Sequence, residues 1–410
     1  MSRLDIEFVR AQFPAFSEPS LKGQAFFENA GGSYACSQVI DKLIRYYRET
    51  KVQPYAPYAA STRAGAEMDA AYERLGAMFN VGTDEIHFGP STSQNTYVLA
   101  NAFRPSWNTG DEIIVTNQDH EANTGAWRRL ADTGIVVREW QVERETGMLD
   151  LAELENLLTP RTRLVAFPHC SNIVAHINPV AQITALAHAA GALTVIDGVS
   201  YAPHGLADVK ALGADIYMCS LYKVYGPHQG VMVVRRNVLD QLANQSHHFN
   251  ADVVRCKITP AGPDHAQIAA AGGVADYFDA LHSHHFQPED NPAVRAKQVS
   301  GLMRRHEQNT LAPLLDYLAS RNDLRMLGSS DAVVRAPTVA VETISCPPGE
   351  LAEKLATKGV MAGAGDFYAP RVLEAMGLDA ERGVLRLSFV HYTSPKEVSQ
   401  LISALDDLKL

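Results

Sequence analysis

The sequence predicts an α/β fold in which a mostly parallel sheet lies between layers of helices, followed by a smaller α+β domain. Between about residues 88 and 236, short apolar runs alternate with helical patterns. Several of these runs are apolar almost throughout, which is typical of strands buried on both faces of a parallel sheet. From His282 to Pro292 the chain is polar and interrupted by prolines, which indicates a boundary. We therefore expect a large domain at 18–285 and a small domain at 286–410 that includes the N-terminal segment 1–17.

The predicted elements follow one another in a regular order. In the large domain, strands are expected at 112–116, 135–142, 164–169, 193–197, 216–220 and 231–235. The helical patterns between them include 93–102, 151–157 and 179–190. The small domain is expected to hold a long helix at 292–321, strands at 333–334, 338–344 and 384–390, and helices at 349–358 and 395–408.

Composition excludes several classes of protein. Of the 410 residues, 46% are hydrophobic and 20% are charged, which is ordinary for a globular chain and not for a disordered one. A formal net charge of −10 argues against nucleic-acid binding, because there is no basic excess to displace phosphate counterions. We expect neither a membrane helix nor a secretory signal. We also expect no disulfide framework, since the five cysteines are odd in number and form no CxxC pair. These features predict a cytoplasmic enzyme.

The histidine-rich stretches do not predict a metal site. His282, His284 and His285, and His247 and His248 before them, lie in polar segments. No carboxylate or cysteine accompanies them at ligand spacing, so we expect no bound metal.

Three polar features follow predicted strands, where ligands of α/β sheets bind. Ser-Thr-Ser-Gln-Asn at 91–95 opens a helix, and such a turn offers backbone and side-chain donors to a phosphate, or is simply a helix N-cap. Asp197 ends an apolar strand, where burying an acid is costly unless a cation pairs with it. The alternative interpretation is that Asp197 only caps the end of the strand. Lys223, 26 residues later, follows the next strand, and a lysine in a cleft can form an imine, although most lysines are solvated charges. Pyridoxal 5′-phosphate carries a phosphate, a basic ring nitrogen and an aldehyde, and so matches all three features.

The chain resembles the class V aminotransferases, a group of fold-type I pyridoxal-phosphate enzymes, and within them the cysteine desulfurase and selenocysteine lyase branch. The resemblance runs from Phe-Phe-Glu-Asn-Ala-Gly-Gly at 26–32 to the terminal helix. It is strongest from Pro-His-Cys-Ser-Asn-Ile at 168–173 to Lys-Val-Tyr-Gly-Pro at 223–227. It implies the fold-type I architecture, an α-β-α sandwich with a smaller α+β domain, and pyridoxal 5′-phosphate as cofactor.

The resemblance also assigns roles to single residues. It implies that Lys223 forms the imine, that Asp197 faces the pyridine nitrogen, and that His120 stacks on the cofactor ring. Arg386 matches the arginine that clamps the substrate carboxylate, with a surface arginine on an edge strand as the alternative. The remaining expected cofactor contacts are Ser93, Gln94, Asn172, Ser200, Ser220 and Tyr222, and the remaining substrate contacts are Asn172 and Gly32.

Several positions depart from the family pattern. Tyr368 stands where the desulfurases carry their catalytic cysteine, and a phenol does not replace a thiolate as sulfur acceptor. Gly363 stands at a frequent arginine, Ser200 at a common glutamine, and Tyr222 at the histidine before the lysine. The loop near Gly262 resembles a family loop that reaches the active site of the partner subunit, and it lacks the threonine that this family loop usually carries. The resemblance still implies a homodimer.

These observations predict an enzyme that acts on a small amino acid through a lysine imine and a Cα carbanion, as an aminotransferase or a β-lyase. A cysteine or selenocysteine desulfurase-type lyase is the alternative within enzymes. A regulatory or binding protein that keeps the cofactor fold without catalysis is the alternative of another class.

Overall fold

A computed structural model describes residues 3–408 of the chain. The predicted small domain, 286–410 with the N-terminal segment 1–17, therefore includes four residues that lie outside the described part, namely 1–2 and 409–410. The strands are Ala25–Phe26 (β1), Ile86–Gly89 (β2), Glu112–Thr116 (β3), Val136–Trp140 (β4), Thr162–Pro168 (β5), Leu193–Asp197 (β6), Ile216–Ser220 (β7), Gly230–Val234 (β8), Leu324–Met326 (β9), Thr338–Thr343 (β10), Val360–Met361 (β11), Gly363–Gly365 (β12) and Val384–Ser388 (β13).

The α-helices enclose these strands and vary from one turn to eight. They are Ile6–Ala11 (α1), Ser37–Arg45 (α2), Ala59–Met78 (α3), Thr92–Phe103 (α4), Glu121–Arg128 (α5), Leu151–Leu157 (α6), Val180–Ala189 (α7), Val209–Leu212 (α8), Arg236–Leu239 (α9), His265–His285 (α10), Pro292–Ala319 (α11), Pro348–Thr357 (α12), Pro370–Ala375 (α13) and Pro395–Asp407 (α14).

The central sheet confirms the predicted α/β architecture. Within residues 3–408 it has seven strands in the order β2-β8-β7-β6-β5-β3-β4, and β8 alone runs against the others. Helices α4 and α5 cover one face, where Phe103 and Trp127 pack with Ile113 of β3. Helices α2, α3, α7 and α10 cover the other face, where Met68 packs with Phe167 of β5. Both faces are buried, which explains why these strands read as continuous apolar runs.

The C-terminal part forms an antiparallel sheet in the order β12-β13-β10-β9. Its core joins β10 and β13 to α11, α12 and α14. The short strand β1 pairs in parallel with β11, and Phe27 belongs to this core. Residues 25–27 therefore pack with the C-terminal part, although the predicted boundary at residue 18 places them in the large domain. The rest of the proposed division stays a prediction.

The N-terminal segment joins the two parts of the fold. Leu4, Val9 and Phe13 belong to the core beside α10. Arg10 forms an ion pair of 2.7 Å with Glu397 of α14, which links this segment to the last helix.

One predicted strand is wrong. Residues 333–334 form a turn, with Val333 65% exposed and Val334 38% exposed. The Asp331 carboxylate accepts a hydrogen bond from the Val333 amide, which favours a turn over a sheet ladder despite the two β-branched side chains. On the side of β10 away from β13, the pairing strand is β9, which sequence patterning did not identify.

Among residues 3–408, none of the helices combines the length and apolarity that a bilayer crossing requires. Over the same residues, no group of three or more His, Cys, Asp or Glu side chains is placed to hold a metal ion.

Candidate active site

The carboxyl ends of two adjacent strands place Asp197 and Lys223 in one cleft. Strands β6 and β7 pair in parallel, with Asp197 opposite Met218. A 3₁₀ turn at Leu221–Lys223 follows β7 and turns the lysine back towards the sheet edge. Asp197 is 5% exposed and Lys223 is 7% exposed. The predicted pair is therefore buried, and both side chains line the same small cavity.

Burial changes the ionisation of both groups. It raises the pKa of Asp197 from 3.8 to about 6, against the opposing effects of the Val199 amide and the Lys223 ammonium. It lowers the pKa of Lys223 to about 8, helped by the positive charge of Arg386 and opposed by Asp197 and Glu28. A lysine with this pKa has a substantial neutral fraction near pH 8, as a nucleophilic amine requires.

The N-terminus of α4 forms a donor-rich turn beside this pair. The Ser91 side chain caps the helix by accepting a hydrogen bond from the Gln94 amide. The amides of Thr92 and Ser93 have no partner within the helix, because they belong to its first turn. The hydroxyls of Thr92 and Ser220 lie 2.8 Å apart, and Ser220 ends β7. The turn therefore presents amides, hydroxyls and the positive end of a helix dipole to one place.

His120 has a fixed orientation and no charge at neutral pH. It caps α5, and its Nδ1 accepts a hydrogen bond of 2.9 Å from the Ala122 amide. The proton of the neutral ring therefore resides on Nε2. Burial, together with Lys223 and Arg386, lowers the pKa of His120 to about 3. A neutral, flat ring in the same cavity suits a stacking role better than that of a cationic acid.

Most of the predicted cofactor contacts line the cavity. Its walls include Ser93, His120, Asp197, Ser200, Ser220, Tyr222 and Lys223. Tyr222 stacks on His228, with ring centroids 4.6 Å apart. Gly32 lies against Tyr222, since a Cβ at that glycine would be 3.4 Å from the tyrosine ring. Gln94 instead lines a neighbouring cavity of about 590 Å³, which is also bounded by the loop 259–264 of the same chain.

Asn172 and Arg386 lie together but outside the walls of this cavity. Arg386 Nη1 donates to the Asn172 carbonyl over 3.4 Å. Arg386 is 3% exposed, and β13 is an inner strand between β12 and β10, so the alternative of a surface arginine on an edge strand is excluded. The Asn172 amide donates to the Phe367 carbonyl over 3.0 Å, and its Oδ1 is buried without a partner.

Sequence reasoning missed the side chains that surround Arg386. Glu28 forms an ion pair of 2.7 Å with Arg386 Nη2, and Phe367 lies under the guanidinium at 3.7 Å. Glu28 lies in the same motif, 26–32, as the predicted substrate-binding Gly32. Its place in that motif was the sequence signal that could have identified Glu28 as part of the site. Thr92 was also missed, although it lies inside the quoted turn. No local pattern identified Phe367, whose position depends on a contact across the fold.

Tyr368 lies at the mouth of the site with a strained backbone. Phe367 and Tyr368 have φ angles of 51° and 57°, in the left-handed region that bulky residues rarely adopt. The Tyr368 carbonyl accepts a hydrogen bond from the Glu121 amide over 2.8 Å, and its ring centroid is 5.4 Å from that of His120. Its side chain is 72% exposed. These contacts hold the loop over His120.

The thiols are poorly placed for chemistry in this cleft. Cys36, Cys170 and Cys219 are buried, and burial raises the pKa of each thiol to about 12. Cys256 and Cys346 are partly buried. Among the described residues, no cysteine lines the cavity that holds Lys223.

The residues present fit pyridoxal 5′-phosphate. Within residues 3–408 the buried Asp197 carboxylate receives one hydrogen bond, from the Val199 amide, and burial of a charge with so little compensation calls for a cation. A protonated pyridine nitrogen supplies that cation. The open amides of the α4 turn suit a phosphate, and the lysine of lowered pKa suits an aldehyde.

Comparison with known proteins agrees with this assignment. The aminotransferase class-V family matches residues 25–283 and 296–401. The chain is 37% identical to aminotransferase-like protein FGM3 of Gibberella zeae, covering 99% of this chain and 98% of that protein. It is 28% identical to cysteine desulfurase-like protein ustD of Aspergillus flavus, covering 99% and 91% of the two chains.

A solved structure shows the same fold. The apo cysteine desulfurase of Thermococcus onnurineus NA1 superposes with a TM-score of 0.85 at 21% identity, covering 100% of this chain and 98% of that chain. The lysine and aspartate in one cleft, the phosphate-type turn and the family match lead to one conclusion: this chain belongs to the class V aminotransferases, and it is a pyridoxal-phosphate-dependent enzyme of fold type I.

Proposed function

We propose that this enzyme removes the Cα proton of a small amino acid and continues as an aminotransferase or a β-lyase, with Lys223, Asp197 and His120 as its catalytic residues. The observation that carries the proposal is the buried Asp197 and Lys223 at neighbouring strand ends, with Arg386 close enough to lower the pKa of the lysine. An acid and an amine in one cavity, with a guanidinium near the amine, match the ring nitrogen, the aldehyde and the substrate carboxylate.

Contacts within the site support each proposed cofactor-binding role. The amides of Thr92 and Ser93, with the Ser220 hydroxyl and Gln94 at the edge, bind the phosphate. Asp197 would hold a proton on the pyridine nitrogen of the bound cofactor. His120 would stack on its ring, and Asn172 would accept a hydrogen bond at its Oδ1, which has no partner among the described residues. Ser200 and Tyr222 complete the walls.

The substrate is oriented by Arg386 and deprotonated by Lys223. The guanidinium binds the α-carboxylate by two parallel hydrogen bonds, which fixes the direction of the Cα–H bond. The neutral Nζ of Lys223 then accepts the Cα proton, and it reaches the neutral state readily because its pKa is lowered to about 8. The bound cofactor supplies an electron sink for the carbon that has lost its proton.

Sulfur transfer to an enzyme thiol is disfavoured. Three of the five thiols have a pKa raised to about 12, and Tyr368 lies over His120. An aminotransferase or a β-lyase that releases its leaving group directly needs no thiolate. A cysteine or selenocysteine lyase without a persulfide remains the second candidate, since the same Lys223 base serves it.

We also propose a cytoplasmic homodimer in which the loop near Gly262 reaches the active site of the partner subunit. Gly262 has open space around it, and an added Cβ would meet no atom within 4 Å. Three large apolar side chains are exposed, those of Tyr55, Phe249 and Val253. Asp69 forms an ion pair with Arg255 and accepts a hydrogen bond from the Tyr55 hydroxyl, which links the region of Val253 to that of Tyr55. Light scattering of the purified protein tests the dimer, and a monomer with full activity would contradict it.

The cofactor link is tested first, because every other role depends on it. Borohydride reduction of the enzyme loaded with pyridoxal phosphate is expected to fix the cofactor on Lys223. Lys223→Ala should abolish this label, and Lys223→Arg should not restore it, since a guanidinium stays protonated. A label on another lysine would refute the assignment.

The reaction is tested by a screen of amino acids that scores keto acid, ammonia and sulfide separately. Keto acid without ammonia indicates transamination, and ammonia release indicates elimination. A colourless protein that takes up no cofactor would favour a binding or regulatory role instead.

A further inference from the structure

Arg386 already holds a carboxylate of its own chain. Glu28 Oε1 lies 2.7 Å from Arg386 Nη2, and the arginine side chain is 4% exposed. The second oxygen of Glu28, Oε2, is buried and has no hydrogen-bond partner within residues 3–408. An unsatisfied carboxylate oxygen beside a substrate-binding guanidinium is a second polar group available to the substrate.

Two glycines leave room for this carboxylate. Gly363 pairs with Arg386 across β12 and β13, and a Cβ at Gly363 would lie 2.5 Å from Glu28 Oε2. A Cβ at Gly31 would lie 2.7 Å from Glu28 Oε1. Both distances are shorter than a real Cβ contact, so a side chain at either position would push the Glu28 carboxylate away from its present place. The backbone on both sides of Glu28 therefore accommodates its carboxylate next to the guanidinium.

Charge determines which substrate fits this arrangement. Arg386 and Glu28 together are neutral, so the pair and an arriving α-carboxylate together carry one net negative charge. A positive group on the substrate side chain would cancel that charge and bind the free Oε2. A second carboxylate would instead repel Glu28.

We propose that Glu28 is a specificity-determining residue that selects amino acids with a cationic side chain over neutral and acidic ones. This inference rests on the proposed binding of the α-carboxylate by Arg386. Glu28 Oε2 forms a charged hydrogen bond with the side-chain cation while Arg386 binds the carboxylate. The two ends of the substrate thus contact two opposite charges that lie side by side.

The test uses carboxylates that cannot react, because they lack an α-amine. Calorimetric titration of the loaded enzyme compares 4-guanidinobutanoate, pentanoate and glutarate, which carry a cation, no charge and a second anion at the far end. In the wild-type enzyme the first is expected to bind most tightly and the last most weakly. Glu28→Gln should reduce the preference of 4-guanidinobutanoate over pentanoate by about fivefold or more.

Two variants serve as controls. Glu121→Gln removes a carboxylate at the mouth of the site that pairs with Arg371 and not with Arg386, and it should leave the preference unchanged. Glu28→Asp keeps the charge on a shorter side chain and should keep the order of the three probes. All variants are compared by their visible cofactor band, which reports a folded, loaded site.

The outcomes separate the two proposals. If borohydride labels Lys223 and Glu28→Gln leaves the preference unchanged, Glu28 does not select the substrate, although the proposed function stands. An equal change for all three probes, or an equal effect of Glu121→Gln, would also overturn the assignment. Loss of the Lys223 label would instead refute the proposed function.

Discussion

The cofactor-free protein is expected to gain stability when the buried carboxylate of Asp197 is replaced by a neutral amide in Asp197→Asn. The carboxylate is buried, with one hydrogen bond from the Val199 amide and no ion pair within 4 Å among the described residues, although the Lys223 ammonium partly offsets the effect of burial on its pKa. An asparagine keeps an acceptor for that amide and removes the charge. The same change should slow turnover about a hundredfold or more, because the amide cannot hold a proton on the ring nitrogen.

The size of the expected stability difference follows from the pKa of Asp197. Its rise from 3.8 to about 6 corresponds, at about 1.4 kcal/mol per pH unit, to about 3 kcal/mol. The folded state binds a proton that the unfolded chain releases, so this proton stabilises the wild-type protein below about pH 4, and the effect is lost as the pH rises through 6. At pH 7 the variant should therefore be more stable by up to about 3 kcal/mol, and the difference should vanish towards pH 4.

Urea denaturation of the cofactor-free proteins between pH 4 and pH 8 measures this difference. Asp215→Asn provides a matched buried control. The Asp215 carboxylate accepts hydrogen bonds from His188 and from both the amide and the hydroxyl of Thr194, so its loss should destabilise the protein. If Asp197→Asn is less stable than the wild type at pH 7, or shows the same pH dependence, the carboxylate is better compensated than these contacts indicate.

Three further predictions concern the surroundings of the cofactor. Gly363→Ala places a Cβ 2.5 Å from Glu28 Oε2, so it should displace that carboxylate and weaken the preference for 4-guanidinobutanoate in the same titration, whereas an unchanged preference would show that Glu28 is free to move. With a pKa near 3, His120 should stay neutral with its proton on Nε2 from pH 5 to pH 8, and nitrogen NMR of labelled histidine that shows a charged ring would contradict this. Incubation with cysteine should leave no stoichiometric persulfide, and trapping one on Cys346 would restore the desulfurase function.

The central sheet was predictable because local sequence determines it. The strands β3, β6 and β7 occur at their predicted bounds, and each is buried throughout or nearly so. Asp197, Ser220 and Lys223 follow directly from those strand ends, so the motif residues and their cavity could be placed without a structure. The sequence is sufficient here because these residues lie at or just after strand ends, and the ends of neighbouring parallel strands lie together in the site.

The surroundings of Arg386 could not be predicted in this way. The guanidinium contacts Glu28, the Asn172 carbonyl and Phe367, which come from distant parts of the chain. These contacts depend on how the C-terminal sheet packs against the large domain. The wrong strand at 333–334 has a different, local origin, because a side-chain contact from Asp331 two residues earlier outweighs the β-propensity of two valines.

The contacts of Arg386 separate substrate selection from cofactor chemistry. Lys223 and Asp197 are positioned by the central sheet, whereas Glu28 follows β1, which pairs with β11 beside the C-terminal sheet. A change at Glu28 therefore alters the charge next to Arg386, and a side chain at Gly363 would displace that charge, without moving the strands that hold Lys223 and Asp197. Because charge at that point discriminates among substrates before any proton moves, two enzymes with identical catalytic residues can differ in substrate. In this chain the pair of Glu28 and Arg386 is the feature that makes that difference.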